Sequence, residues 1–240
     1  MFDAETRGGV TQLRREGSRW LSTGWNGGKT EGSTAYNVTV PEGWPTLDIG
    51  AYLTERLSGA GFARPGPALL TGVDQRHARL ARLDSVTVLA TAGLSNPATL
   101  PLDPDRRRSD PDTDGDRPPG TVNLFVGTAR ACVEGSLSGV IATAVEAKTA
   151  TLLAETGFSG TTSDALIVAC DPAGEPVEYV GSATEVGTAV RACVRDALLA
   201  SLRSRYAERG YPESVTDAEY GVETRERATV GSVPGTEPEK

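Results

Sequence analysis

Histidine, lysine, cysteine and long apolar runs are all scarce in this chain. One histidine in 240 residues, His77, excludes any multi-histidine metal centre, and a Ser-His-Asp arrangement would have to work through that residue alone. Its neighbours in "DQRHARLARL" read as a surface or rim segment. The three cysteines, Cys132, Cys170 and Cys193, have no C-x-x-C spacing and so suggest neither a disulfide framework nor a zinc knuckle. Cys170 closes an apolar run and Cys193 sits on a helix stripe, which reads as core thiols. No window reaches the roughly 18 apolar residues of a membrane span. The start "MFDAETRGGVTQLRRE" lacks the apolar segment of a signal peptide, so a cytoplasmic location with no membrane partner is expected. Only Lys29, Lys148 and Lys240 are lysines, and 32 acidic residues outweigh 24 basic ones to leave a formal charge of -8. That charge repels phosphate backbones and argues against a nucleic-acid partner. An acidic, lysine-poor composition is what a protein kept soluble in concentrated salt requires.

What is present is enough for a core: 38% apolar residues, with three Trp, six Tyr and four Phe. Strand-like runs ("RWLSTGW", "AYNVTV", "PALLTGV", "SVTVLATAG", "TVNLFVG", "DALIVAC", "VEYVG") alternate with helical patterns at 46–61, 136–155 and 184–209. The last helix collects Val190, Val194, Ala197, Leu198 and Leu202 on one face. The mixture predicts an α/β class fold, a single-domain sandwich with a mixed β-sheet and about three main helices. One domain over 1–212 is expected, interrupted at 103–119 by a mobile acidic, proline-rich surface loop and followed at 213–240 by a polar, partly disordered tail.

Three stretches carry candidate chemistry. In "STGWNGGKT", the final four residues match the end of a phosphate-cradling loop, G-x-x-x-x-G-K-[ST]. Thr23 stands where that loop needs glycine, and β-rich sequence follows where a helix N-terminus should cradle the phosphate. A nucleotide-binding phosphotransferase is therefore the lesser reading, and Asn26, Gly27 and Gly28 read first as a hairpin tip. The second stretch, "SLSGVIATAVEAKTATLLAE", places Glu146 and Lys148 on different faces of an otherwise apolar helix, where each needs a partner unless the lysine stem reaches water. The third, "GFSGTTSDALIVAC", sets a hydroxyl-rich turn and Asp164 before a buried strand, and "YVGSATEVG" repeats the form, with Thr184 a candidate cap.

The segments "STGWNGG", "ATAGLSNPA", "GTVNLFV", "ATAVEAKTATL", "SGTTSDALIVA" and "YVGSATEVG", in this order and spacing, resemble the adenosylcobinamide amidohydrolase family of corrinoid-salvage enzymes. Val145 and Thr162 to Asp164 depart from the family pattern, which has Thr before Glu-Ala-Lys and a Gly-Thr-Asp ending. The resemblance implies hydrolysis of the amide joining aminopropanol to a corrin propionate. It also implies a substrate that brings its own cobalt, so no cofactor of the protein's own is expected; a homo-oligomer is compatible with it. Amide hydrolysis needs a nucleophile, support for the oxyanion and a proton for the amine. The hypothesis is that Asp164 or Glu146 activates water, while Lys148 and backbone N–H groups of Gly160, Thr161, Thr162 and Ser163 hold the oxyanion. Asn26 and Asn123 would orient the amide, with Gly27, Gly28, Asn96, Gly181 and Thr184 along the rim. Ser163 or Thr162 as a covalent nucleophile with Lys148 as base is the second route, and a corrinoid carrier without catalysis the second function.

Overall fold

The computed structural model describes residues 2–41, 48–103, 121–218 and 220–233. The expected loop, from 104 on, and the last residues of the tail, 234–240, lie outside them. The main sheet is built from β1 (Asp3–Arg7), β2 (Val10–Ser22), β3 (Gly28–Thr39), β4 (Ala68–Thr71), β5 (Arg79–Leu83), β6 (Val86–Ala92), β8 (Val122–Thr128) and β11 (Ala165–Cys170). Short strands β7 (Pro97–Thr99), β9 (Ala131–Cys132), β10 (Gly160–Thr161), β12 (Pro176–Val177) and β13 (Val222–Glu223) pair outside it. Among the described residues three helices cover it, α1 (Ile49–Gly59), α2 (Glu134–Thr156) and α3 (Glu185–Arg205).

The strand order is β4-β3-β2-β11-β8-β6-β5, with β1 hairpinned onto β2. β8 and β11 are parallel, as are β3 and β4, and the other main pairings are antiparallel, so the sheet is mixed. All of β6 and β8 is buried, which is why both read as continuous apolar runs and not as alternating ones. Their two faces feed separate cores. Val122, Leu124 and Val126 face α2 and α3, whereas Phe125, Leu89 and Ile167 join Phe2, Leu13, Trp20 and Leu69 on the other side. The sheet curls over that second core: the Asn123 amide on β8 donates 2.9 Å to the Leu70 carbonyl on β4, four places away in the order. α1 closes the far side by packing Leu53 near Tyr36, Val38 and Phe62.

α2 is long and apolar enough, by composition, to cross a membrane, yet Leu137, Val140, Ala144 and Leu152 are packed in the core against β-strands and α3. α2 and α3 run in the same direction, since Glu146 meets Arg191 and Glu155 meets Arg203. The α3 face foreseen from its periodicity is buried throughout, and the helix ends at Arg205 where Tyr206 N–H caps the Leu202 carbonyl. "VEYVG" yields only Val177 as strand, the second of the two residues of β12. Beyond them the chain follows α2, whose Ser136 and Thr143 hydroxyls answer the Val177 and Val180 carbonyls at 3.2 and 3.1 Å. Side chains of a helix have taken the place of a strand partner. The described part of the polar tail also lies against the body, with β13 parallel to β7 and Tyr220 N–H bonded 2.9 Å to the Ser95 carbonyl.

Candidate functional site

One end of the sheet gathers the starts of β8 and β11, the ends of β2 and β6, and the C-terminal half of α2. Lys148 reaches into it from α2 and is only 6% exposed, so its ammonium does not find water along its stem. It ion-pairs with Asp164, whose side chain is nearly as buried. The "SGTTSD" turn folds back on its own aspartate: Asp164 accepts from the Thr161 N–H at 3.2 Å, from the Thr161 hydroxyl, and from the Val122 N–H at 3.1 Å. With Lys148, four donors converge on this carboxylate, the satisfaction a buried charge requires. Gly160 is required there, because a Cβ would lie 2.7 Å from the Asp164 carboxylate and 3.1 Å from the Lys148 ammonium.

Around this pair stand hydroxyl and amide groups. The Asn96 amide donates to the Thr162 hydroxyl at 2.7 Å and the Ser163 hydroxyl at 3.2 Å, and the Thr162 N–H returns to the Asn96 carbonyl at 3.1 Å. Asn96 is 2% exposed, yet its side-chain oxygen has no hydrogen-bond partner. A buried acceptor left open in this way is costly unless a ligand answers it. Thr121 donates 2.6 Å to the Ser163 carbonyl, and Thr23 clamps Leu166 by two bonds of 2.9 Å, which ties the "STGW" turn to β11. Behind lies a buried network that sequence reasoning missed: Asn123 donates to Asn37 at 2.8 Å, Asn37 to Thr91 at 2.9 Å, and Thr11 to Gln75 at 2.8 Å. Asn37 and Thr91 sit within apolar alternations, so only their face of the strand could have flagged them. Asn123 is fully buried and anchored in this network.

Other foreseen residues lie elsewhere. Glu146 does not join Lys148; it is exposed on the outside of α2 and ion-pairs with Arg191 of α3, because two positions along a helix turn a side chain to another face. Thr184 caps α3, accepting 3.0 Å from the Gly187 N–H and donating 2.9 Å to the Gly181 carbonyl. These two line a cavity of about 750 Å³ with Ser136, Thr143 and Tyr179. Asn26, at φ 49°, and Gly28, at φ 109°, shape the β2–β3 hairpin tip beside a cavity of about 260 Å³ that also meets Trp25, Glu31 and Pro67. Gly27 is packed against the Ser22 carbonyl. Gly28, Lys29 and Thr30 are in a strand, with no helix after them to receive a phosphate, and the phosphate-loop reading falls. The three cysteines are buried and unbridged. Hydrogen bonding from Cys132 to Cys170 pushes the first thiol up and draws the second down to about 6.

A buried ammonium held by a carboxylate, beside hydrogen-bonded hydroxyls and an unanswered amide oxygen at the end of a mixed sheet, is equipment for hydrolysis of a polar carbonyl substrate. The chain belongs to the adenosylcobinamide amidohydrolase family, whose model matches residues 3–210. It is 54% identical over 232 residues, 96% of this chain and 99% of the other, to an adenosylcobinamide amidohydrolase of Halobacterium salinarum (strain ATCC 700922 / JCM 11081 / NRC-1). Among solved structures it is similar to the PH0078 protein of Pyrococcus horikoshii OT3, with TM-score 0.40, 12% identity, and 83% and 78% of the two chains covered.

Proposed function

We infer that this protein hydrolyses adenosylcobinamide at the amide between aminopropanol and the corrin propionate, releasing aminopropanol and adenosylcobyric acid, a step of cobalamin salvage. Membership of the family across residues 3–210 carries this reading. The Lys148–Asp164 cluster supports it, because its residues come from the segments that bear the resemblance. In the reaction proposed, the Lys148 ammonium faces the oxyanion that forms when water adds to the amide carbon, whereas the Thr161 and Thr162 N–H groups are taken by Asp164 and by the Asn96 carbonyl. Asp164 holds Lys148 in place, and the open Asn96 oxygen accepts the N–H of the scissile amide. With four donors upon it, Asp164 takes the proton of the attacking water as Lys148 shifts towards the oxyanion, and passes that proton to the amide nitrogen as the C–N bond breaks and aminopropanol leaves as the amine. Ser163 is held by Asn96 and the lysine is engaged by Asp164, an arrangement that favours activated water over a serine nucleophile. The cobalt belongs to the substrate, and the reading includes no metal of the protein's own, a cytoplasmic setting, and no nucleic-acid or membrane partner.

The test is to incubate purified protein with adenosylcobinamide, in low and high salt, and to follow aminopropanol and adenosylcobyric acid by mass spectrometry. Both products appear with the native chain and neither with Lys148→Met. Intact substrate that remains bound to folded protein would convert the reading to a corrinoid carrier.

A further inference from the structure

The single histidine lies outside the candidate site, within a group of arginines that the proposed hydrolysis does not use. His77 Nε2 accepts from Arg76 Nε at 3.1 Å, which leaves the proton on Nδ1, 3.0 Å from the Ser204 hydroxyl oxygen. The same oxygen accepts from the Arg79 guanidinium. Two donors therefore face Ser204 Oγ, which leaves its own proton for a further acceptor. Arg205 lies beside them with its guanidinium against Gly93, and its Nε is buried without a partner. Most described arginines, Arg15 and Arg191 among them, reach a carboxylate within 4.0 Å. Among the described residues Arg76, Arg79 and Arg205 form no ion pair, although acids outnumber bases in the chain. A helix C-terminus attracts cations and accounts for Arg205 at the end of α3. It does not account for Arg76, which arrives from a separate segment, or for Arg79 beside it, which donates from one end of its guanidinium to the Arg76 and Ala78 carbonyls at 2.9 and 2.8 Å and turns the other end to Ser204.

We propose that Arg76, Arg79, Arg205 and the Ser204 hydroxyl form a binding site for an oxyanion of phosphate type. Guanidinium forks match the oxygens of such an anion in pairs, and a hydroxyl proton completes the ring of donors. The site adjoins the candidate catalytic end, since Arg205 packs on Gly93 and the Tyr206 hydroxyl accepts from Leu94 N–H at 2.8 Å, on the loop that carries Asn96. Burial together with Arg76 and Arg205 holds the His77 imidazole below its usual 6.5, while Asp74 opposes them and Arg79 adds to them. An anion seated among these groups reverses the largest charge effect and raises that value. Because the chain has one histidine, its ring protons give one isolated titration curve by NMR.

The experiment compares that curve in inorganic phosphate, in acetate and in chloride at equal ionic strength. Phosphate is expected to raise the midpoint by about half a pH unit or more, saturably, and Arg76→Gln or Arg79→Gln to weaken the apparent affinity about tenfold. Arg76 is exposed and anchors nothing by its guanidinium except His77, so its variant keeps the fold. A saturable shift in acetate as well would extend the site to carboxylates. Equal midpoints in all three salts, or a phosphate effect that both variants retain, would overturn the site. The proposal is independent of the hydrolysis reading and stands or falls without it.

Discussion

At the residue scale, the Lys148–Asp164 pair is the feature on which most depends. Removing one partner of a buried pair leaves a bare charge in the interior and costs about 3 to 5 kcal/mol. Lys148→Met should lose that much in urea melts, while a Lys148→Met, Asp164→Asn double variant, whose side-chain oxygen still accepts from the Val122 and Thr161 N–H groups, should recover most of the stability and none of the turnover. An active double variant would remove the pair from the chemistry. Asn96→Ala should lower kcat/KM by about tenfold to a hundredfold, the value of one hydrogen bond to a buried polar group. A stopped-assay series against adenosylcobinamide measures it. Far from this end, the Arg15 guanidinium beside Asp171 holds its carboxyl below the usual 3.8. A lowered folded-state value contributes stability that is complete above the unfolded value and is lost as pH falls through the folded one. The stability gap between the native chain and Arg15→Gln should therefore be constant near neutrality and close in acid, as pH-dependent urea melts would show.

At the element scale, helix ends and hairpin tips separate scaffold from site. Thr184 caps α3, so Thr184→Ala should cost about 1 kcal/mol in stability. If turnover also falls sharply at unchanged fold, Thr184 touches substrate after all, through the cavity it lines. Gly187 lies so close to the Gly181 and Val180 carbonyls that any Cβ would overlap them. Gly187→Ala should lower Tm and loosen the start of α3, visible as faster amide exchange over residues 180–188. Hydrophobic periodicity located α3 to within a few residues, because a helix facing a core must repeat apolar groups near every 3.6 positions, and a run apolar on nearly every side located α2. "VEYVG" misled because alternation marks a strand only when another strand is there to pair with it, and α2 occupied that place.

At the scale of the whole molecule, the described tail matters to the site. β13 runs beside β7, and Tyr220 bonds to Ser95, next to Asn96. Truncation after residue 212 should leave the sheet folded, raise amide exchange over 93–99 and reduce turnover; unchanged exchange would show the tail to be passive. The alternation of strand-like and helical patterns predicted the broad class, an α/β fold with a core fed by the apolar third and more of the chain, and one histidine excludes a multi-histidine metal centre. The ordered segments from Ser22 to the last helix were enough to name a family, since spacing along a chain is itself a specific signal. Which polar residues meet is a different matter. Lys148 and Asp164 were both legible as charges in apolar surroundings, yet their pairing, the exclusion of Glu146 to the α2–α3 seam, and the burial of Asn37, Gln75 and Thr91 depend on contacts between residues far apart in sequence. A one-dimensional pattern records which face a side chain takes on its own element; only the packing of sheet against helix, and the curl that brings β4 over β8, decides what that face meets.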